Sequence, residues 1–233
     1  MVSGASRGIG ASIAMRLVED GFRVSLGVRN PDRILPELSS LASDRTFVCR
    51  FDALHPPTAK TWIEDTLSRF GAIDALVNNA GILRQVGFDD PDDGEANLDE
   101  MWAVNVKAPF RLTKLALPHL RKSPNGRIVN IASTDGKRYR DRSVSVGYAM
   151  SKHALMAVTH AARFAGWDDG VRVTAILPGA VYTDLIAGIH GVTPGLGRMS
   201  PATVAHAVAF ILGLPNNAST AEFAINTRLE STI

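Results

Sequence analysis

Segments of helical and of strand periodicity alternate along almost the whole chain. This alternation narrows the fold more than any other feature, because strands that take turns with helices assemble into a parallel sheet covered by helices on both faces. Ile9, Ile13 and Leu17 make a helical stripe over 9–20 that ends at Gly21, and Val24–Val28 follows as a strand. The same reading gives a helix over 31–42, a strand over 46–51, a helix over 57–70 and a buried strand over 74–77. Leu98, Met101, Trp102, Val106, Phe110, Leu112 and Leu115 share one broad face and predict a single long helix over 97–121. After Gly126 come a strand at 127–132, a second long helix at 147–166, and a strand at 171–177 that Pro178-Gly179 breaks. A helix at 201–213 and a strand at 222–226 close the pattern, which is that of an α/β fold.

At 233 residues the chain suits one such domain spanning 1–233, since a single core grows to about 250 residues before chains divide. Hydrophobic residues make up 45% and charged residues 21%, which is globular composition, and the apolar runs are too short to span a bilayer. A formal charge of +2 from scattered residues leaves no footprint for nucleic acid. Cys49 is the only cysteine, so no internal disulfide forms, and with six scattered histidines no metal-ligand spacing arises. Nothing resembles a secretory leader. The expectation is a soluble cytoplasmic protein without membrane, nucleic-acid or metal partners. Met1-Val2-Ser3 runs directly into a glycine-rich turn, whereas strands average about 5–6 residues; the first strand is therefore expected to be truncated, with an N-terminal segment missing.

Two motifs carry chemistry. Gly4-Ala5-Ser6-Arg7-Gly8-Ile9-Gly10 lies where a strand gives way to a helix. Glycines there permit a tight turn and bring backbone N–H groups to a pyrophosphate at the helix N-terminus, although the spacing G-x-x-x-G-x-G differs from the G-x-G-x-x-G of other dinucleotide folds. Tyr148-Ala149-Met150-Ser151-Lys152 places a phenol and an ammonium four residues apart on one helical face. A nearby cation lowers the pKa of a tyrosine from about 10 toward useful proton exchange.

Together with Asn78-Asn79-Ala80-Gly81 after the fourth strand, Ser133 after the fifth and Pro178-Gly179 after the sixth, these segments resemble the short-chain dehydrogenase/reductase family, in order and over nearly the whole chain. The resemblance implies a Rossmann-type, doubly wound parallel sheet of strand order 3-2-1-4-5-6-7 with helices on both faces. It also implies a nicotinamide dinucleotide and a reaction between a secondary alcohol and a ketone or aldehyde. By the same resemblance Tyr148 is the general acid or base, and Lys152 lowers its pKa and holds the nicotinamide ribose. Ser133 hydrogen-bonds the substrate oxygen, and Asn105 positions a water of the proton relay. The remaining cofactor contacts it implies are Gly4, Ser6, Arg7, Gly8, Ile9 and Gly10 in the glycine turn, Asp52 and Ala53 by the adenine, and Asn79, Ala80 and Gly81 on the ribose side. Pro178 and Gly179 also belong to this set, with Val181 and Thr183 at the carboxamide. Simpler readings exist for two residues: Ser133 as a strand-end cap and Asn105 as a polar residue inside a helix.

NADP(H) rather than NAD(H) is expected, because the second strand ends Leu26-Gly27-Val28-Arg29. Val28 stands where NAD folds place an acid for the ribose 2′-hydroxyl, and the guanidinium groups of Arg29 and Arg7 suit a 2′-phosphate. Two departures from the family pattern stand out. The interval from Ser133 to Tyr148 is lengthened through residues 137–142, whose Lys137, Arg138, Arg140 and Arg142 are expected either to favour anionic substrates at the entrance or to be simply solvated. Residues 222–226 replace a glycine-rich final segment. A mobile lid is expected over 185–200, a solvated acidic loop over 89–95, and a homodimer or homotetramer through the two long helices. The rival from another class is a non-enzymatic dinucleotide sensor of the same fold, against which the intact Tyr148/Lys152 pair argues.

Overall fold

The computed structural model describes residues 1–39, 44–90, 94–186 and 197–227. Its strands are β1 (Val2–Ser3), β2 (Val24–Val28), β3 (Thr46–Arg50), β4 (Ala75–Asn78), β5 (Arg127–Ile131), β6 (Arg172–Pro178) and β7 (Glu222–Ile225). All pair in parallel in the order β3-β2-β1-β4-β5-β6-β7. Val2 lies opposite Leu26 on one side and Val77 on the other, so β1 is an interior strand, between β2 and β4. The strand order reverses there, and a crevice opens at the carboxyl ends of the strands, where folds of this kind bind their ligands.

The helices are α1 (Gly8–Glu19), α2 (Pro36–Ser39), α3 (Pro57–Phe70), α4 (Glu95–Trp102), α5 (Ala108–Leu120), α6 (Val146–Gly166) and α7 (Pro201–Gly213). Successive strand residues point to opposite faces, and the core follows that rule. Val77 and Val129 pack with Ile13, Leu17, Val204 and Val208 of α1 and α7. Their neighbours Leu76 and Ile128 pack with Trp62, Ile63, Leu112 and Ala116 of α3 and α5. Ser145 starts α6 by accepting from Tyr148 N at 3.2 Å, and Ser200 starts α7 by accepting from Ala202 N at 3.2 Å. No helix among the described residues is long and apolar enough to cross a membrane.

Two expected helices differ. The stretch 97–121 is interrupted by a π-helical segment, Ala103–Lys107, between α4 and α5. Pro109 has no N–H to give the carbonyl of Asn105 four residues earlier, so a regular ladder cannot run through this point, and the turn widens. In place of a helix over 31–42 there are a 3-10 turn, Pro31–Arg33, and the short α2. Pro36 removes a donor and drives Leu35 out of helical geometry; residues 40–43 lie outside those described.

At the amino ends of β5 and β6 the sheet is fastened by arginines. Arg127 is buried, with Nη1 donating to Gly126 O at 3.0 Å and Asn216 Oδ1 at 2.8 Å, and Nη2 to Leu214 O at 2.6 Å. Leu214 is the C-cap of α7, so this cation also faces the negative end of a helix. Arg172 donates to Asn216 O at 3.1 Å and Trp167 O at 2.9 Å and lies 4.0 Å from the centroid of the Trp167 ring.

Candidate active site

A cleft of about 1200 Å³ runs along the carboxyl ends of the strands. Its first wall is the glycine turn. Gly4 and Gly8 have φ of 67° and 56°, in the left-handed region, and a Cβ on Gly10 would lie 2.2 Å from Gly4 O. Side chains at these places would strain or fill the turn. α1 starts at Gly8 with Arg7 extended and no side-chain cap, so the leading N–H groups of the helix are left for a ligand in the cleft. Asn79 braces the turn from β4: its Nδ2 donates to Ser3 O at 2.9 Å and Gly4 O at 3.2 Å. Ser3 Oγ accepts from Asn79 N and Ala80 N at 2.9 and 3.0 Å. Backbone left bare at Gly4, Gly8 and Gly10 and an uncapped helix start suit the pyrophosphate of a dinucleotide.

The other end of the cleft holds the titratable groups. Ser145 and the first turn of α6 bury Tyr148, and one turn later Lys152 is buried as well. Lys152 Nζ donates to Ile131 O at 2.9 Å and sits 5.6 Å from the centroid of the Tyr148 ring. Burial lowers the Lys152 ammonium to about 8. Burial, and then the charge of Asp135, push the Tyr148 phenol above its ordinary value, while a hydrogen bond with Ser133 pulls it back. Lys152 is thus near the phenol, yet in the chain alone its charge does not offset burial. Ser133 also accepts from Asp135 N at 3.1 Å, capping the 3-10 turn Thr134–Gly136, so its hydroxyl serves both as a cap and as a neighbour of Tyr148.

Gly4, Ser6, Arg7, Gly8, Ile9, Gly10, Arg29, Asp52, Ala53, Asn79, Ala80, Gly81, Ser133, Tyr148, Lys152, Pro178, Gly179, Val181 and Thr183 all line this one cleft. Asn105 does not. It lies behind the wall, with Oδ1 accepting from Ile82 N at 2.9 Å and Nδ2 donating to Ile82 O at 2.9 Å and Ser151 Oγ at 3.0 Å. Its side chain therefore fixes the segment after Gly81 to α6. Arg7 pairs across the cleft with Asp184 at 3.3 Å, both side chains being largely exposed. Asp52 Oδ1 accepts from Leu54 N at 3.0 Å.

A family model described as short chain dehydrogenase matches residues 1–191. The chain belongs to the short chain dehydrogenase family. It is 37% identical over 218 residues to an agropine synthesis reductase of Rhizobium rhizogenes, a match covering 94% of this chain and 50% of that protein. The chain thus spans about half the length of that relative. It is 34% identical over 244 residues to an L-fucose dehydrogenase of Bos taurus, covering 98% and 86%. An alcohol dehydrogenase from the archaeon Thermococcus sibiricus, solved in complex with 5-hydroxy-NADP, superposes with a TM-score of 0.86 at 28% identity, covering 98% of this chain and 97% of that one. The match is to a family of oxidoreductases, and the archaeal neighbour is one whose structure holds an NADP derivative.

Relative to the family pattern, the lengthened loop is tied to itself. Tyr139 donates its hydroxyl to Val144 O at 2.9 Å, and Asp141 Oδ1 accepts from Ser143 N at 2.9 Å. Of its four cations, Arg140 pairs with Asp141 at 3.0 Å and Lys137 with Glu222 at 2.5 Å, while Arg140 and Arg142 line the cleft. Of the expected lid over 185–200, residues 187–196 lie outside those described, as do Asp92 and Asp93 of the acidic loop. Asp135 was not singled out by the sequence. Its one available signal was an acid two places after Ser133, at a position no motif marks.

Proposed function

We propose that the chain is an NADP(H)-dependent oxidoreductase that interconverts a secondary alcohol and a ketone or aldehyde, with Tyr148 as its proton donor and acceptor. The observation that carries this reading is that one cleft brings the bare glycine turn together with the Ser133, Tyr148 and Lys152 side chains. When bound, the nicotinamide exchanges a hydride with the reacting carbon. Ser133 and Tyr148 are placed to hold the substrate oxygen by two hydroxyl groups and to meet the charge that develops on it. Tyr148 gives its proton to that oxygen in reduction and takes it back in oxidation. Lys152 keeps a positive charge beside the phenol up to about pH 8, and Asn105 holds the backbone after Gly81 in register with α6.

For the cofactor, Val28 cannot accept bonds from a ribose 2′-hydroxyl and does not repel a phosphate, while Arg29 lines the cleft just beyond it. Among the described residues Arg7 is held by an exposed pair with Asp184, of a kind that contributes about 0–1 kcal/mol, so it is readily drawn to a phosphate. Trp102 and Phe110 on either side of the π-helical segment between α4 and α5, and Met150 and Phe164 on α6, leave large apolar surface exposed. These faces support a homodimer or homotetramer. A panel of carbonyl compounds followed by loss of NADPH absorbance, with NADH in parallel, tests the reading. Turnover with NADPH is expected; cofactor binding without turnover across the panel would overturn it and leave a dinucleotide sensor.

A further inference from the structure

Two walls of the cleft meet through a single ion pair. Arg7 belongs to the glycine turn just before α1, and Asp184 opens the 3-10 turn Asp184–Ile186 that follows β6. Both line the cleft, and Arg7 Nη1 donates to Asp184 Oδ2 at 3.3 Å. The backbone that carries Asp184 is fastened. Val181 bridges to Met199, Tyr182 N donates to Met199 O at 2.8 Å, and Met199 N donates to Ala180 O at 2.9 Å. Thr183 Cγ2 would stand 3.4 Å from a Cβ on Gly8, so this segment lies against the glycine turn itself. The short side chain of Asp184 is thereby kept within reach of Arg7.

The pair is loose. One guanidinium nitrogen meets one carboxylate oxygen just beyond the usual N–H···O range of about 2.7–3.2 Å, with the side chains 68% and 70% exposed. A guanidinium holds a phosphate by two parallel charge-assisted bonds, so a 2′-phosphate that reaches Arg7 displaces a weaker partner. The displaced carboxylate remains tethered close by. A phosphate monoester carries about 1.5 to 2 negative charges at neutral pH, and two unit charges about 6 Å apart in water repel by roughly threefold in affinity. A carboxylate that steadied Arg7 for the phosphate would need a short, two-point contact, and this one is long and single. The ribose of NAD(H) carries a neutral hydroxyl in place of the phosphate and leaves the pair standing.

We infer that Asp184 is a specificity-determining residue for the cofactor: it competes with the 2′-phosphate for Arg7 and holds back NADP(H) binding more than NAD(H) binding. The inference rests on the reading of Arg7 as a ligand of that phosphate.

The test reads binding and not turnover. NADPH and NADH are titrated by their fluorescence into the wild type, Asp184→Asn, Arg7→Ala and the double variant at low ionic strength. Adenosine 2′,5′-bisphosphate and 5′-AMP serve as competing fragments without the nicotinamide. Asp184→Asn keeps the size of the side chain and removes its charge. It should tighten NADPH by about threefold or more and NADH by less than about twofold, with the same split between the two fragments. Added salt should shrink the difference, and in the Arg7→Ala background most of the gain should vanish. Weaker or unchanged NADPH binding in Asp184→Asn overturns the inference, the weaker case making the pair a clasp that steadies Arg7. An equal change for both cofactors, or the full gain without Arg7, reduces Asp184 to general repulsion and overturns it as well. Arg7→Ala alone tells these failures from that of the underlying reading: a lowered NADPH preference keeps Arg7 as the phosphate ligand, and an unchanged one removes both.

Discussion

At the amino ends of β5 and β6, Arg127 and Arg172 spend their donors on backbone carbonyls and an asparagine, and Arg127 is almost fully buried. At the carboxyl ends, Arg7 and Arg29 are exposed, and Arg7 pairs with Asp184. The same residue type thus serves the fold at one end of the sheet and, in the function proposed above, a ligand at the other. The difference lies in whether the surrounding backbone has already taken up the guanidinium. The buried Tyr148 and Lys152 also lie at the carboxyl end, where burial works against the charged form of each, a pattern that clusters at functional sites.

The largest expected effect belongs to the carboxyl end. Tyr148→Phe removes the transferable proton and little volume, so kcat should fall by roughly 10²–10⁴-fold, with cofactor binding and unfolding midpoint nearly unchanged. Steady-state rates and a binding titration check this together; a variant keeping more than a tenth of the rate would contradict the assignment. At the amino end, Arg127→Ala should do the reverse. It strands the Leu214 carbonyl and removes charge-assisted bonds, lowering stability by about 2–4 kcal/mol while leaving turnover per folded molecule intact. Urea denaturation beside an active-site titration separates the two, and a loss under about 1 kcal/mol would erase the contrast between the ends.

Arg29→Ala should leave stability alone and lower the NADP(H)/NAD(H) ratio of kcat/KM by on the order of tenfold, about 1.4 kcal/mol. An unchanged ratio would mean that Arg29 is merely solvated. The smallest effect concerns Lys152. Its folded value of about 8 lies below the ordinary 10.5, so between these values the unfolded chain binds more protons and stability rises with pH. The contribution is fully present above 10.5 and is lost as pH falls through 8. From pH 8 to 9 the gain is about 1 kcal/mol, and Lys152→Met should abolish it. Denaturation midpoints for both proteins at the two pH values decide the matter; parallel curves would show that burial leaves Lys152 untouched.

The sheet and most helices were legible because burial writes itself as period: Leu76 and Val77 go to opposite faces, and Ile13 and Leu17 to one. The glycine turn and the Tyr148/Lys152 pair were legible because their chemistry admits few residue types. The π segment at Ala103–Lys107 was not, since a turn widened by one residue leaves the apolar stripe almost intact and only Pro109 hints at it. Arg127 was not either, because an arginine at the start of a strand looks like an exposed one until the loop at 214–216 folds over it. The cations of residues 137–142 looked like a patch in the sequence; in space two of them are answered by Asp141 and Glu222, one of which is more than eighty residues away.

The lengthened loop after Ser133 begins at a turn closed by Gly136 N on Ser133 O and ends where Ser145 Oγ donates to Arg84 O at 2.7 Å and Val146 N to Val86 O at 2.8 Å. Between these fixed points its bonds are mostly internal. Such a loop is an interchangeable cassette: its length and composition can drift, or be exchanged by design, without displacing Ser133 on one side or Tyr148 on the other. A graft of residues 137–144 from another member of the family should therefore change which molecules enter the cleft and not how a proton moves within it.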